Sequence, residues 1–253
     1  MTSVTAQDNS TTILVHGFNK DKKDMSFLHN GLRRAGFSVH SVDLPTTFGS
    51  LEECRNSLYL QVKGIVQAGQ SVNFVAHSMG GLIVRAYMDF FKVDNVVNCV
   101  FIATPHGGSP LAKIASLIPF YSDIFKPIKE FKTPMNADLR HPANINANNQ
   151  TMDSFSGDLV NEVLEPAPCP RGKGFKLGVI AGSKNKSVLG TLFLTETSDG
   201  RVEVDAVRCS DADDFIVLPF SHKEIHHEEE TLRLVKNFLL SGGFEERPNN
   251  NRC

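Results

Sequence analysis

Apolar positions along the chain fall into short continuous runs, separated by segments with helical spacing. The first run, Thr12-Ile13-Leu14-Val15, leads directly into His16-Gly17-Phe18 and reads as a buried strand ending in a turn. Residues 24–35 then put Phe27, Leu28 and Leu32 on one helix face, and Gly36 stands where a C-terminal cap belongs. Residues 37–44 predict a second strand, stopped by Pro45. Residues 51–68 carry Leu51, Leu58, Val62, Ile65 and Val66 at helical intervals. A third strand, 71–76, runs into His77-Ser78-Met79-Gly80-Gly81 and a helix over 82–91. The fourth strand, 96–103, ends at Thr104-Pro105-His106-Gly107-Gly108. Residues 176–181 and 215–219 predict two more strands. A last helix over 227–240 buries Leu232, Leu234, Val235, Phe238 and Leu239, and the polar tail after it reads as frayed.

Strands that alternate with helices imply an α/β fold: a mostly parallel central sheet with helices on both faces. The near-continuous apolar strands fit this, because a parallel sheet is covered on both sides. Between 109 and 168 the pattern fails. That stretch is rich in Asn, Pro and Ala with short apolar clusters. A structureless loop of such length is uncommon in a compact domain, so it reads as an inserted cap or lid over the strand ends. Residues 183–207 are also irregular, with room for a hairpin. The whole chain, 1–253, is expected to form one domain, and it has no internal repeat.

Composition narrows the function. The 253 residues are 41% hydrophobic and 21% charged, with a formal charge of −2, as in an ordinary globular protein. No basic stripe suits nucleic acid. The polar N-terminus lacks a signal peptide's apolar centre, and no run of about 18 apolar residues predicts a transmembrane segment. Cys54, Cys99, Cys169, Cys209 and Cys253 are odd in number and widely spaced, against a disulfide scaffold or zinc site. Cys99 reads as a small core residue. A reducing, cytoplasmic setting is expected.

The chemistry centres on Ala76-His77-Ser78-Met79-Gly80. This matches a nucleophile elbow with Ala in place of the first Gly. Strand turns to helix so tightly there that large neighbours would clash, and Ser78 would hold a strained backbone. The plainer alternative is a Ser capping a helix N-terminus. The surrounding AHSMGGLIVRAY, with ILVHGF upstream and FIATPHGGSPLA downstream, resembles the lipase and esterase branch of the α/β-hydrolase superfamily. The resemblance spans about 12–240 apart from the cap. It implies Ser78 as nucleophile and an oxyanion hole from the N–H groups of Phe18 and Met79. It also implies the chain order serine, acid, histidine.

Downstream of Ser78 stand His106, His141, His222, His226 and His227. His222 follows the last strand and precedes the final helix, where that order puts the base. His226 and His227, in HHEEE, read as a solvated helix terminus. His106 reads as a structural or substrate-positioning group, and His16 precedes the nucleophile. For the acid, Asp199 in a Ser-Asp-Gly-x-Val turn matches best, against Asp205, Asp211, Asp213 and Asp214. The Asp211-Ala212-Asp213-Asp214 cluster reads as a solvated loop. The implied function is hydrolysis of a small-molecule or lipid-like ester through an acyl-enzyme, with no metal or cofactor. Acyl transfer, thioester cleavage or an inactive binding domain remain as alternatives. Cap residues such as Leu111, Ile114, Leu117, Phe120 and Phe125 either line an acyl pocket or form the cap's own core.

Overall fold

A computed structural model describes residues 10–108, 175–187, 194–195 and 197–245. The expected cap over 109–168, part of the irregular 183–207 segment and the end of the tail lie outside them. Six strands form one sheet: β1 (Ser10–Val15), β2 (Ser38–Ser41), β3 (Ser71–His77), β4 (Val96–Ile102), β5 (Lys176–Gly182) and β6 (Asp214–Leu218). Their order is β2-β1-β3-β4-β5-β6, and every pairing is parallel.

Strand periodicity splits each apolar run between two cores. Ile13, Val15, Phe74, Ala76, Phe101 and Val179 face α2 (Leu51–Ile65) and α3 (Met79–Phe91), packing on Leu58, Val62, Ile83 and Val84. Leu14, Val75, Val100 and Ile180 face the other way. They meet Leu28 and Leu32 of α1 (Ser26–Arg34) and Val235 and Phe238 of the final helix. β1, β3, β4 and β5 are thus apolar on both sides, as a doubly covered sheet requires. Emptying either core is costly: truncating fully buried Phe74 to Ala costs about 3–5 kcal/mol.

Several boundaries differ from the expectation. The first predicted helix divides into a 3-10 turn, Lys22–Met25, and α1. The Asp21 carboxylate accepts the Lys23 N–H at 2.7 Å, favouring the tight turn at that end. β2 is shorter than predicted, because its residues are mostly polar and lie at the sheet edge. α3 starts three residues early, at Met79, although two glycines follow. Within 183–207 the described residues contain a Ser198–Glu203 bridge and a short helix, α4 (Val204–Val207). The last helix, α5, spans Glu229–Ser241, so His226 and His227 belong to a separate 3-10 turn, Ile225–His227. Among the described residues, no helix is long and apolar enough to cross a membrane.

From β1 the chain steps outward to β2, then returns across β1 to β3 and continues to β6. Neighbouring connections therefore diverge between β1 and β3. In an open parallel sheet this switch point leaves a crevice beyond the strands' C-terminal ends. The turns after Val15 and His77 meet in that crevice.

Candidate active site

Close packing shapes the turn around Ser78. Ser78 holds φ 54° and ψ −128°, a conformation that costs about 1–3 kcal/mol for a residue with a side chain. Its N–H donates to the Ile102 carbonyl at 2.8 Å, tying the turn to β4. The neighbouring glycines are needed for space. A Cβ on Gly80 would lie 2.6 Å from the His16 carbonyl oxygen and 2.7 Å from that of Val15. Gly81 sits as tightly against Thr104. A Cβ on Gly17 would come 3.0 Å from Ser78 Cβ, so the turn after β1 rests on the serine.

His16 holds that turn in shape. Its Nε2 accepts the Leu44 N–H at 3.0 Å, which leaves Nδ1–H to donate to the Gly17 carbonyl at 3.0 Å. Thr46 Oγ donates to the same carbonyl. Phe18 follows directly and lines a small cavity with Gly17, Ser78 and His222. Met79 begins α3, where the first N–H groups lack intrahelical acceptors and the helix dipole favours negative charge.

The loops after β5 and β6 bring two further predicted residues to the serine. His222 Nε2 lies 3.0 Å from Ser78 Oγ, and His222 Nδ1 lies 2.7 Å from Asp199 Oδ2. The carboxylate is 2% exposed, and its Oδ1 accepts the N–H groups of Arg201 (2.9 Å) and Val202 (2.8 Å). The backbone adds a clamp, since the His222 N–H donates to the Asp199 carbonyl at 3.0 Å. With Nδ1–H donating to Asp199, Nε2 is free to accept the Ser78 hydroxyl proton. Gly182, at the end of β5, makes room: a Cβ there would meet Asp199 Cβ at 2.8 Å.

The competing aspartates are engaged elsewhere. Asp211 is not a solvated loop residue but 7% exposed, paired with buried Arg85 at 3.0 and 3.3 Å. Asp213 accepts from Lys176 and the Leu177 N–H, and Asp214 accepts the Phe244 N–H. Asp205 belongs to α4 and faces solvent beside Arg208. His106 does not line the cavity. It packs by the Phe101 ring, and burial, then the Arg85 charge, push its imidazole well below the ordinary 6.5.

A second set of groups was not anticipated from the sequence. His77 Nε2–H donates to the His222 carbonyl at 3.0 Å. The His77 ring stacks on His226 at 3.8 Å, and His226 Nε2 reaches Asp24 Oδ2 at 3.1 Å. His226 is 1% exposed, contrary to the solvated terminus expected, whereas His227 is exposed. Burial, then the neighbouring imidazoles, drive His77 well below 6.5. Burial works to raise the Asp24 carboxyl, but its contacts with His226 and Lys20 outweigh that and hold it well below the usual range. His77 adjoins the serine in sequence and could have been flagged; Asp24 carries no sequence signal of this role.

Comparison with known proteins agrees with the α/β fold. The sequence pattern of the Alpha/beta hydrolase family matches residues 12–209, and the chain belongs to that family. No match is found among curated proteins. Among solved structures, the chain is similar to the mature form of Bacillus licheniformis lipase BlEst2, at TM-score 0.64 and 17% identity. That alignment covers 91% of this chain and 90% of the other. The propeptide form of the same lipase is matched over 52% of its length. The metagenomic carboxyl esterase MGS0156 aligns at TM-score 0.61 and 12% identity, over 86% of this chain and 65% of that one. Mouse alpha/beta hydrolase domain-containing protein 10 aligns at TM-score 0.54 and 10% identity, over 92% and 90%. At such identities the likeness is one of fold.

Proposed function

We propose that this chain is a serine hydrolase that cleaves carboxylic esters through an acyl-enzyme on Ser78. The observation that carries the reading is the continuous Ser78–His222–Asp199 hydrogen-bonded chain, with links of 3.0 and 2.7 Å, at the switch point. A hydroxyl is a weak nucleophile unless a base takes its proton, and the base must keep the right tautomer.

In this reading His222 Nε2 accepts the Ser78 proton as Oγ attacks the ester carbonyl carbon. The carbonyl oxygen takes up the negative charge between the N–H groups of Met79 and Phe18. Fixed donors of this kind contribute about 3–4 kcal/mol each to the rate. The intermediate collapses, the carbon–oxygen bond to the alcohol breaks, and His222 protonates the departing alkoxide. Water then attacks the acyl-enzyme, giving its proton to His222, and the acid leaves as Ser78 regains its hydrogen. Asp199 stays ionised and stabilises the imidazolium.

The substrate belongs to the small-molecule or lipid-like esters. The lipase and carboxyl esterase among the similar folds support that class by analogy. The test is hydrolysis of p-nitrophenyl esters from acetate to palmitate by wild type, Ser78→Ala and His222→Ala. Activity in wild type that vanishes in both variants supports the reading. A Ser78→Ala variant as active as wild type overturns it.

A further inference from the structure

We propose that Asp24, His226 and His227 form a binding site for a divalent transition-metal ion of the zinc class, beside the Ser78–His222 pair. One potential ligand atom from each residue lies within 4.8 Å of the other two. A four-coordinate zinc ion with bonds of about 2.0–2.1 Å sets neighbouring ligand atoms roughly 3.3 Å apart. His226 Nε2 and Asp24 Oδ2 already stand at nearly that spacing, 3.1 Å. His227 is on the exposed edge, so its ring can swing inward to close the third side.

Hydrogen bonding around the cluster favours a cation. Lys20 occupies Asp24 Oδ1 at 3.0 Å, leaving Oδ2 turned to the histidines. His77 donates through Nε2–H to the His222 carbonyl, so in a neutral ring Nδ1 carries a lone pair. That atom is buried, has no hydrogen-bond partner among the described residues, and lies 3.8 Å from Asp24 Oδ2. Two acceptors therefore face each other with no proton between them, and positive charge there would relieve both. His226 Nδ1 is likewise buried and unpartnered among the described residues. The His226 ring proton can shift to it, which bares Nε2 for a metal without loss of a proton. Two imidazoles and one carboxylate suit zinc and its neighbours, not calcium or magnesium, which take oxygen ligands. A carboxylate–histidine hydrogen bond that only braces the loop would involve neither His227 nor the His77 lone pair.

The site adjoins the reacting groups without containing them. His226 stacks on His77, and His77 holds the His222 carbonyl. The test needs no turnover and so stands apart from the ester-hydrolase reading. The full chain would be titrated with Zn²⁺ against a chromophoric chelator, and with Co²⁺ followed by visible absorption. His227→Ala removes an exposed ligand, and His226→Gln keeps a donor toward Asp24 without an imidazole. The expected result is one equivalent bound by wild type, with a tetrahedral Co²⁺ band. Each variant should bind at least about tenfold more weakly, and His227→Ala should melt as wild type does. A wild type that takes no metal from the chelator overturns the proposal. So does unchanged affinity in His227→Ala, which would put any bound ion elsewhere.

Discussion

Replacing Asp199 with Asn tests the hydrogen-bonded chain at its least forgiving point. The carboxylate accepts three N–H groups, two from backbone through Oδ1 and one from His222 through Oδ2. An Asn oxygen can keep both backbone bonds, so the turn stays intact. Its NH₂ group then meets the His222 Nδ1–H donor to donor. The imidazole escapes by moving its proton to Nε2, where it faces Ser78 Oγ and can no longer accept the hydroxyl proton. An interchange of this kind in a serine–histidine–aspartate triad lowers kcat about 10⁴-fold. At about 1.4 kcal/mol per decade, that is roughly 5 kcal/mol of barrier. Asp199→Ala is less clean, since it also strands two backbone donors at about 1–3 kcal/mol each. The assay is steady-state hydrolysis of a reactive ester, with thermal unfolding measured in parallel. Unchanged melting with kcat down by about four decades is expected. An Asn variant within tenfold of wild type would refute the assignment of Asp199.

Three further outcomes follow from the packing. Asp211→Ala leaves buried Arg85 without its carboxylate and should cost about 3–5 kcal/mol, a melting point lower by roughly 10 °C, measured by calorimetry. A folded Asp211→Ala protein with ordinary melting would mean that the pair is not buried. Gly80→Ala forces a methyl into the carbonyls of Val15 and His16 and should destabilise by about 1–3 kcal/mol in urea unfolding. His106 is held below 6.5 when folded, while the unfolded imidazole takes up a proton as pH falls through 6.5. Unfolding therefore gains a proton in acid, and stability should decline below pH 6.5. His106→Phe should flatten that decline by up to about 1.4 kcal/mol per pH unit, read from urea titrations between pH 7 and 5.

Much of the frame was legible because it rests on local rules. Runs such as Ile13-Leu14-Val15 are apolar on both faces, which specifies a covered parallel strand. The glycines after Ser78 mark a turn where backbones nearly touch. The Ser-Asp-Gly-x-Val turn was legible for the same reason: the Asp199 carboxylate caps its own turn before it reaches His222. What escaped was non-local. Asp211 sits among charged neighbours in sequence, yet it is buried by Arg85, 126 positions away. Asp24 and His226 are 202 positions apart, and neither shows its partner in local spacing. The solvated reading of HHEEE held for His227 and failed for His226, because the chain forms a 3-10 turn before α5 that points His226 inward.

The proposed chemistry turns on one oxygen atom, Ser78 Oγ. Incubation of the full chain with a fluorophosphonate probe, followed by peptide mass mapping, tests it most directly. A single phosphonyl adduct on Ser78 is expected, absent from Ser78→Ala and strongly slowed in His222→Ala. An ester-cleaving chain whose adduct falls on another residue, or whose Ser78→Ala variant labels as wild type does, would contradict it.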